Sequence, residues 1–331
     1  MGNVLPMRIP PSETYQCIAF VMGIMLEDEN IKEAFYNHYI RLRCDRFDEN
    51  QLRYVGCEAE DLRVEGIAEL NKYYIKNQSP DKIIGFLEER LDQGDYLLLF
   101  WIDEYYLPYS EFYNVRHFHH DTHVYGYDDE CFYVMAYRDL HLQKMKVKKE
   151  HIANSLAGGL AINPEGDFCA IKFHGIKVKC SIKTIASEVH EYLNGGYDED
   201  TGADGIDSYK TIKDIMSDCT ENPEDEMRID PKLLRMLWEH KKIFSLRNQF
   251  LSEKIEGLKA LQKDVDDLVR DTSMMMLMAL KFNKNQDISI PERIKEYADD
   301  LYEREERYLR EFLAVISEYE VSQGDKSDYK D

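Results

Sequence analysis

With 331 residues, 44% of them hydrophobic, the chain is long enough to bury the core of two structural units. Its 64 acidic against 42 basic residues leave a formal net charge of −22, which disfavours broad contact with nucleic acid or anionic membrane and favours cationic partners such as amines. Seven cysteines (Cys17, Cys44, Cys57, Cys131, Cys169, Cys180 and Cys219) lie scattered without a CxxC pair, so neither a disulfide framework nor a zinc ribbon is indicated and a reducing cytoplasm is expected.

The first residues, Met1 to Pro6, lack the basic and long apolar regions of a secretory signal, and Pro6 stands where a myristoylation motif wants Ser or Thr. After Pro10 and Pro11, Ser12 and Thr14 offer N-caps to a run from Cys17 to Leu26 that is apolar on all sides, as in a buried helix. Cys17 then falls in the first turn, where the helix dipole favours a thiolate. Further helices are expected over 31–41 and 80–93. From Tyr96 the pattern changes: 96–102 is a short apolar run rich in aromatics, as in a strand covered on both faces. Residues 120–127 and 131–137 flank Asp128-Asp129-Glu130 and read as a hairpin, with strands over 144–148 and 168–179 and a helix over 180–193 that ends at Asn194-Gly195-Gly196.

The acidic, glycine-bearing stretch 197–206 reads as a flexible loop and domain boundary. Beyond it, 233–261, 265–282 and 291–317 are amphipathic segments expected to form a helical bundle. The expected fold class is α+β, with a catalytic domain over 1–196 built on an antiparallel sheet, a helical domain over 197–324, and a disordered or tag-like tail over 325–331 ending in Asp328-Tyr329-Lys330-Asp331. The longest apolar runs are far short of a membrane span.

A cysteine at the start of a helix, followed later by a histidine on a strand, is the chain order of papain-like Cys/His chemistry. Alternation along 120–127 puts His120, Thr122, Val124 and Gly126 on one face and His123, Tyr125 and Tyr127 on the other. Only one face can look at Cys17. Papain-like enzymes carry their base at the start of such a strand, before Gly-Tyr, so His120 is the expected general base. A one-residue slip would bring His119 there instead. A hairpin centred on Asp128 and Asp129 brings Tyr137 opposite His120, which makes Asp139, two residues on, the candidate that orients the imidazole. The competing reading is that Cys17 is a buried core residue.

His117, His119, His120, His123 and Asp121 invite a metal reading, yet His119 and His123 in one strand stand about 13 Å apart, too far to share an ion; no metal is expected. The segment from Asp103 to Tyr109 is dense in aromatics, and Asp103, Tyr109 and His117 are candidates to line a substrate cleft. Lys144, Lys146 and Lys148 alternate along one strand face and offer a dock for an acidic protein.

Tyr15-Gln16-Cys17, Asp103 through Tyr109, His117-Phe118, His120, and Val124 through Glu130 together resemble the butirosin biosynthesis protein H family, whose N-terminal domain is papain-like. Gly205-Ile206-Asp207 and Leu237 through Lys242 resemble the helical region of relatives found beside carrier-protein-dependent enzymes, so the resemblance spans most of the chain. It implies acyl transfer: an acyl group held as a thioester on the phosphopantetheine of an acyl or peptidyl carrier protein passes to Cys17, with His120 as base, and then to a small amine, forming an amide in natural-product biosynthesis. The amide synthetase of closthioamide assembly is similar. No cofactor is then bound by the chain itself, since the phosphopantetheine belongs to the carrier. The family tends to place an aspartate where Ala136 or Tyr137 stands here. Two further readings stay open: a papain-like cysteine peptidase or amidase, and a non-catalytic binding or scaffold protein, with a homodimer possible through the acidic helical region.

Overall fold

The computed structural model describes residues 2–46, 50–139, 141–221 and 228–327. Its elements run β1 (Asn3–Val4), α1 (Gln16–Glu27), β2 (Leu42–Asp45), β3 (Gln51–Tyr54), α2 (Ala59–Val64), β4 (Ala68–Tyr74), α3 (Pro80–Asp92) and β5 (Tyr96–Asp103). They continue through β6 (His119–Tyr127), β7 (Cys131–Arg138), β8 (His141–Lys148), α4 (Lys149–Gly159), β9 (Asp167–Phe173) and α5 (Ile182–Asn194). The chain closes with β10 (Gly196–Asp198), β11 (Gly202–Asp204), α6 (Ser208–Glu221), α7 (Pro231–Ser252), α8 (Gln262–Asn285) and α9 (Ser289–Ser327). The fold is α+β, with antiparallel sheets and a helical C-terminal region.

Two compact units emerge, Met1–Phe35 with Cys57–Lys179, and Tyr36–Gly56 with Cys180–Asp331. This corrects the boundary expected at 196: β2, far upstream, pairs with β11 on one side and β3 on the other, so both strands belong with the C-terminal segment. The stretch 197–206, expected as a flexible loop, is instead the β10–β11 hairpin followed by a helical turn. The Asp198 carboxylate accepts the N–H groups of Asp200 and Thr201 at its tip, and Ala203 and Ile206 are buried. Gly202 has φ +112°, and a Cβ there would stand 1.9 Å from the Cys44 carbonyl oxygen, so only glycine lets β11 approach β2.

In the first unit a sheet runs in the order β4-β9-β5-β6-β7-β8, with β1 added against β6. Leu97, Leu99 and Ile102 of β5, Val124 of β6, and Phe132 and Val134 of β7 pack with Ile83, Leu87 and Leu91 of α3 and Ile152 and Leu156 of α4. The four-residue spacing in both helices makes one apolar stripe each, which suffices to cover a sheet face. α1, apolar on all sides as expected, reaches the sheet through Phe20, whose ring meets His123. The helix expected over 31–41 is only a 3-10 turn, Ala34–Asn37; Tyr39 at φ +61° turns the chain into β2.

In the second unit α8 and α9 fall where amphipathicity placed them, while the segment expected over 233–261 is α7 followed by a 3-10 turn, Glu256–Leu261. At their centre the fully buried Lys241 of α7 donates to Glu305 of α9 and to the Tyr192 hydroxyl at 3.2 Å, while the Tyr209 hydroxyl donates to the other Glu305 oxygen at 2.7 Å. α9 runs through Ser327, into the expected tail, and the tag-like 328–331 lie outside the described residues. Among the described residues no helix is long and apolar enough to cross a membrane.

Candidate active site

Cys17 is the second residue of α1, half-buried, with the N-cap position falling on Tyr15 rather than on Ser12 or Thr14. Its neighbour Gln16 pins the helix start to the sheet by donating to the carbonyls of Asp121 on β6 (3.0 Å) and Met135 on β7 (3.1 Å). The start of α1 is thereby tied to the third residue of β6 and the fifth of β7. Burial, and then the negative charges of Asp121 and Glu58, push the Cys17 thiol up to about 11. Backbone N–H groups of the helix start oppose this, as the dipole argument requires, but desolvation outweighs them. The expected low-pKa thiolate is corrected accordingly: at neutral pH Cys17 is a thiol.

The expected pairing of Cys17 with His120 is corrected by the strand's alternation. His123 packs on Phe20 of α1, with ring centroids 4.8 Å apart, so His123 and Asp121 share the α1 face. Thr122 and Val124 look the other way: the Thr122 hydroxyl meets the Tyr109 hydroxyl at 2.6 Å, and Val124 joins the core under α3 and α4. His120 has their parity, and its Nδ1 lies 3.4 Å from Glu104 Oε1. Neither ring nitrogen of the fully buried His123 has a hydrogen-bond partner among the described residues, and burial holds its pKa down at about 3.

The candidate orienter is corrected as well. The hairpin is centred later than expected, with Tyr127 paired to Phe132, and beyond the bulge at Tyr125 His123 pairs with Met135, a register that sets Tyr137 opposite Asp121 rather than His120. Asp139 is exposed, in a turn with φ +52°, and its carboxylate meets Arg138 at 3.7 Å. Glu104 takes the place by His120 instead, and also accepts from the Ser110 hydroxyl at 2.5 Å.

Asp103 and His117, expected in a cleft, are brought together. The Asp103 side chain, 1% exposed, accepts from His117 Nδ1 at 2.6 Å, while His117 is largely exposed and stacks on Tyr105. Tyr109, by contrast, is a packing residue whose hydroxyl is used by Thr122. Sequence reasoning gave no role to Gln16 or to Glu104, which directly follows Asp103, and it set His123 aside in favour of His120. Trp101, half exposed at φ +56°, marks a bulge in β5 and donates its backbone N–H to Asp121 Oδ1 at 3.2 Å.

Lys144 and Lys146 border a groove of about 590 Å³ lined also by Leu5, Met7, Tyr125 and Tyr133. Lys144 donates to the Met7 carbonyl, and Lys146 lies over the Tyr133 ring while bonding Asp128. Among the described residues no group of three or more His, Cys, Asp or Glu side chains is placed to hold one metal ion. No protein family matches the chain, and no curated protein matches it.

Proposed function

We propose that the first unit is a papain-like, cysteine-dependent acyltransferase that forms an amide, moving an acyl group from a carrier-protein thioester through Cys17 to an amine. The observation that supports this reading is the position of Cys17 in the first turn of α1, beside Gln16, whose side chain is bonded to β6, the strand that also carries His119 and His120. The resemblance to the butirosin biosynthesis protein H family supports the same chemistry.

In the first step the Cys17 sulfur bonds to the thioester carbonyl carbon, the phosphopantetheine sulfur leaves, and the proton lost by Cys17 ends on the departing thiol. Exchange between thioesters is nearly isoenergetic, so no ATP is consumed. Backbone N–H groups at the start of α1 are the donors for the oxyanion. In the second step the amine nitrogen bonds to the acyl carbon, the Cys17 sulfur leaves, and the amine proton returns to it. The acidic surface attracts a cationic amine, and the lysine-bordered groove is the dock for an acidic carrier.

The test is intact-mass spectrometry of the protein after incubation with an acyl-phosphopantetheine thioester. An acyl adduct on Cys17 that is lost in Cys17→Ser and discharged by a primary amine, with the N-acyl amine as product, supports transfer. An adduct discharged equally fast by water alone supports the peptidase or amidase reading instead. A second reading, a non-catalytic binding protein, is favoured by the protonated thiol and by the engagement of His120 with Glu104. It requires that no adduct forms.

A further inference from the structure

We infer that His117, held by Asp103, is the general base that removes the proton of the incoming nucleophile. This rests on the amide-forming reading for the identity of that nucleophile, an amine, but the pair itself is a feature of the fold.

The arrangement is built rather than incidental. Asp103 ends β5 with its side chain out of solvent, and each carboxylate oxygen is used: Oδ1 accepts the Tyr105 N–H at 3.1 Å and Oδ2 accepts from His117 Nδ1 at 2.6 Å. With Nδ1 donating, the neutral ring carries its lone pair on Nε2, and the ring is the exposed partner, so the basic nitrogen is the one available to a ligand. Tyr105 stacks on the imidazole, with centroids 4.6 Å apart and planes at 27°, which fixes the ring's orientation. α4 makes room for the pair with a glycine. A Cβ at Gly158 would stand 2.8 Å from Asp103 Oδ2 and 2.7 Å from the Tyr106 ring. A buried carboxylate, an oriented imidazole with one free nitrogen, and a stacked aromatic wall are the parts of a base–orienter pair. His120 with Glu104 is the looser of the two pairs at this sheet end, at 3.4 Å.

As the amine nitrogen bonds to an acyl carbon, its proton passes to His117 Nε2, the leaving group departs with the electron pair of the broken bond, and the imidazolium then gives the proton up to the leaving group or to water. Asp103 is a positioning residue that acts through His117.

The experiment uses the full chain carrying Cys17→Ala, so that it does not depend on an acyl-enzyme. Aminolysis of 4-nitrophenyl acetate by a primary amine is followed by nitrophenolate release against pH, with His117→Asn, Asp103→Asn and His141→Asn added separately. The asparagine at 117 keeps a donor for Asp103, and thermal melts check that each variant folds. The expected result is protein-dependent aminolysis that falls at least tenfold in His117→Asn and in Asp103→Asn and is unchanged in His141→Asn. Nitrogen NMR of the Cys17→Ala protein should show His117 with its proton on Nδ1, and that tautomer should be lost in Asp103→Asn. Aminolysis no faster than buffer, or equal in the His117→Asn variant, overturns the inference. Failure of amide-forming transfer itself is read separately, from the absence of an acyl adduct on Cys17 in the unmodified protein.

Discussion

Phe20 on α1 and His123 on β6 pack ring to ring, their centroids 4.8 Å apart, and this contact decides which side of β6 looks at the helix that carries Cys17. The histidine on that side is fully buried, and neither ring nitrogen has a hydrogen-bond partner among the described residues.

Such a group makes stability depend on pH. The folded value of about 3 lies below the ordinary 6.5, so between the two the unfolded chain takes up a proton that the folded chain refuses. The contribution is fully present above pH 6.5 and is lost as pH falls toward 3, on the order of a few kcal/mol in all. Urea unfolding at pH 7.5 and pH 5 should show this slope for the native protein, and His123→Leu should flatten it. An identical slope in the variant would assign the acid sensitivity to other groups.

Alkylation of Cys17 by iodoacetamide should be slow at pH 7 and climb about tenfold per pH unit toward its value near 11. Asp121→Asn removes a negative charge that raises the thiol and should speed the reaction several-fold at pH 8, as should Glu58→Gln to a smaller degree. Peptide mass spectrometry reads both, and a rate indifferent to Asp121 would show that its charge does not reach the sulfur.

Gly158→Ala should cost about 1–3 kcal/mol, since the new methyl group meets Asp103 and Tyr106 and both must shift. The loss should appear in the thermal melt together with a changed His117 tautomer. A variant as stable as the parent, with the tautomer kept, would mean that α4 can move away freely.

In the helical unit, burial lowers the Lys241 pKa while Glu305 raises it, and desolvation is the larger effect. Lys241→Met leaves the Glu305 carboxylate buried without its cationic partner, held by hydroxyl donors such as Tyr209, and should destabilise by about 3–5 kcal/mol. Adding Glu305→Leu should recover part of that. Chemical denaturation of the two variants checks the order, and a double variant less stable than the single one would overturn it.

Much of the fold is legible where pattern and burial agree. α1, α3, β5 to β7, α8 and α9 fall close to where the sequence puts them, because each carries a continuous apolar run or a regular stripe. The hairpin after Tyr127 is legible too: the Asp128 carboxylate accepts the N–H groups of Glu130 and Cys131. What escapes is set by single residues and by distant partners. The bulges at Trp101 and Tyr125 shift the pairing of β6 with its neighbours, and no local pattern announces them. Tyr39 at φ +61° ends a stretch whose composition reads as helix. The strands β2, β3, β10 and β11 are short and draw their stability from one another across the chain rather than from local preference. At the candidate site, Cys17, Asp103 and His117 are visible as residue types, whereas which carboxylate holds which imidazole depends on how the loop after β5 folds back.

The pairing of β2 with β11 also sets an order of events during synthesis. Residues 42–54 leave the ribosome early, yet β2 meets Ala203 only after some 150 further residues have been made, and closing so long a loop carries an entropic cost. Meanwhile the intervening residues 57–179 complete the seven-stranded sheet. A nascent chain halted at residue 196 would thus expose the unmatched edge of β2, so the earliest-made strands of the second unit are among the last to be secured.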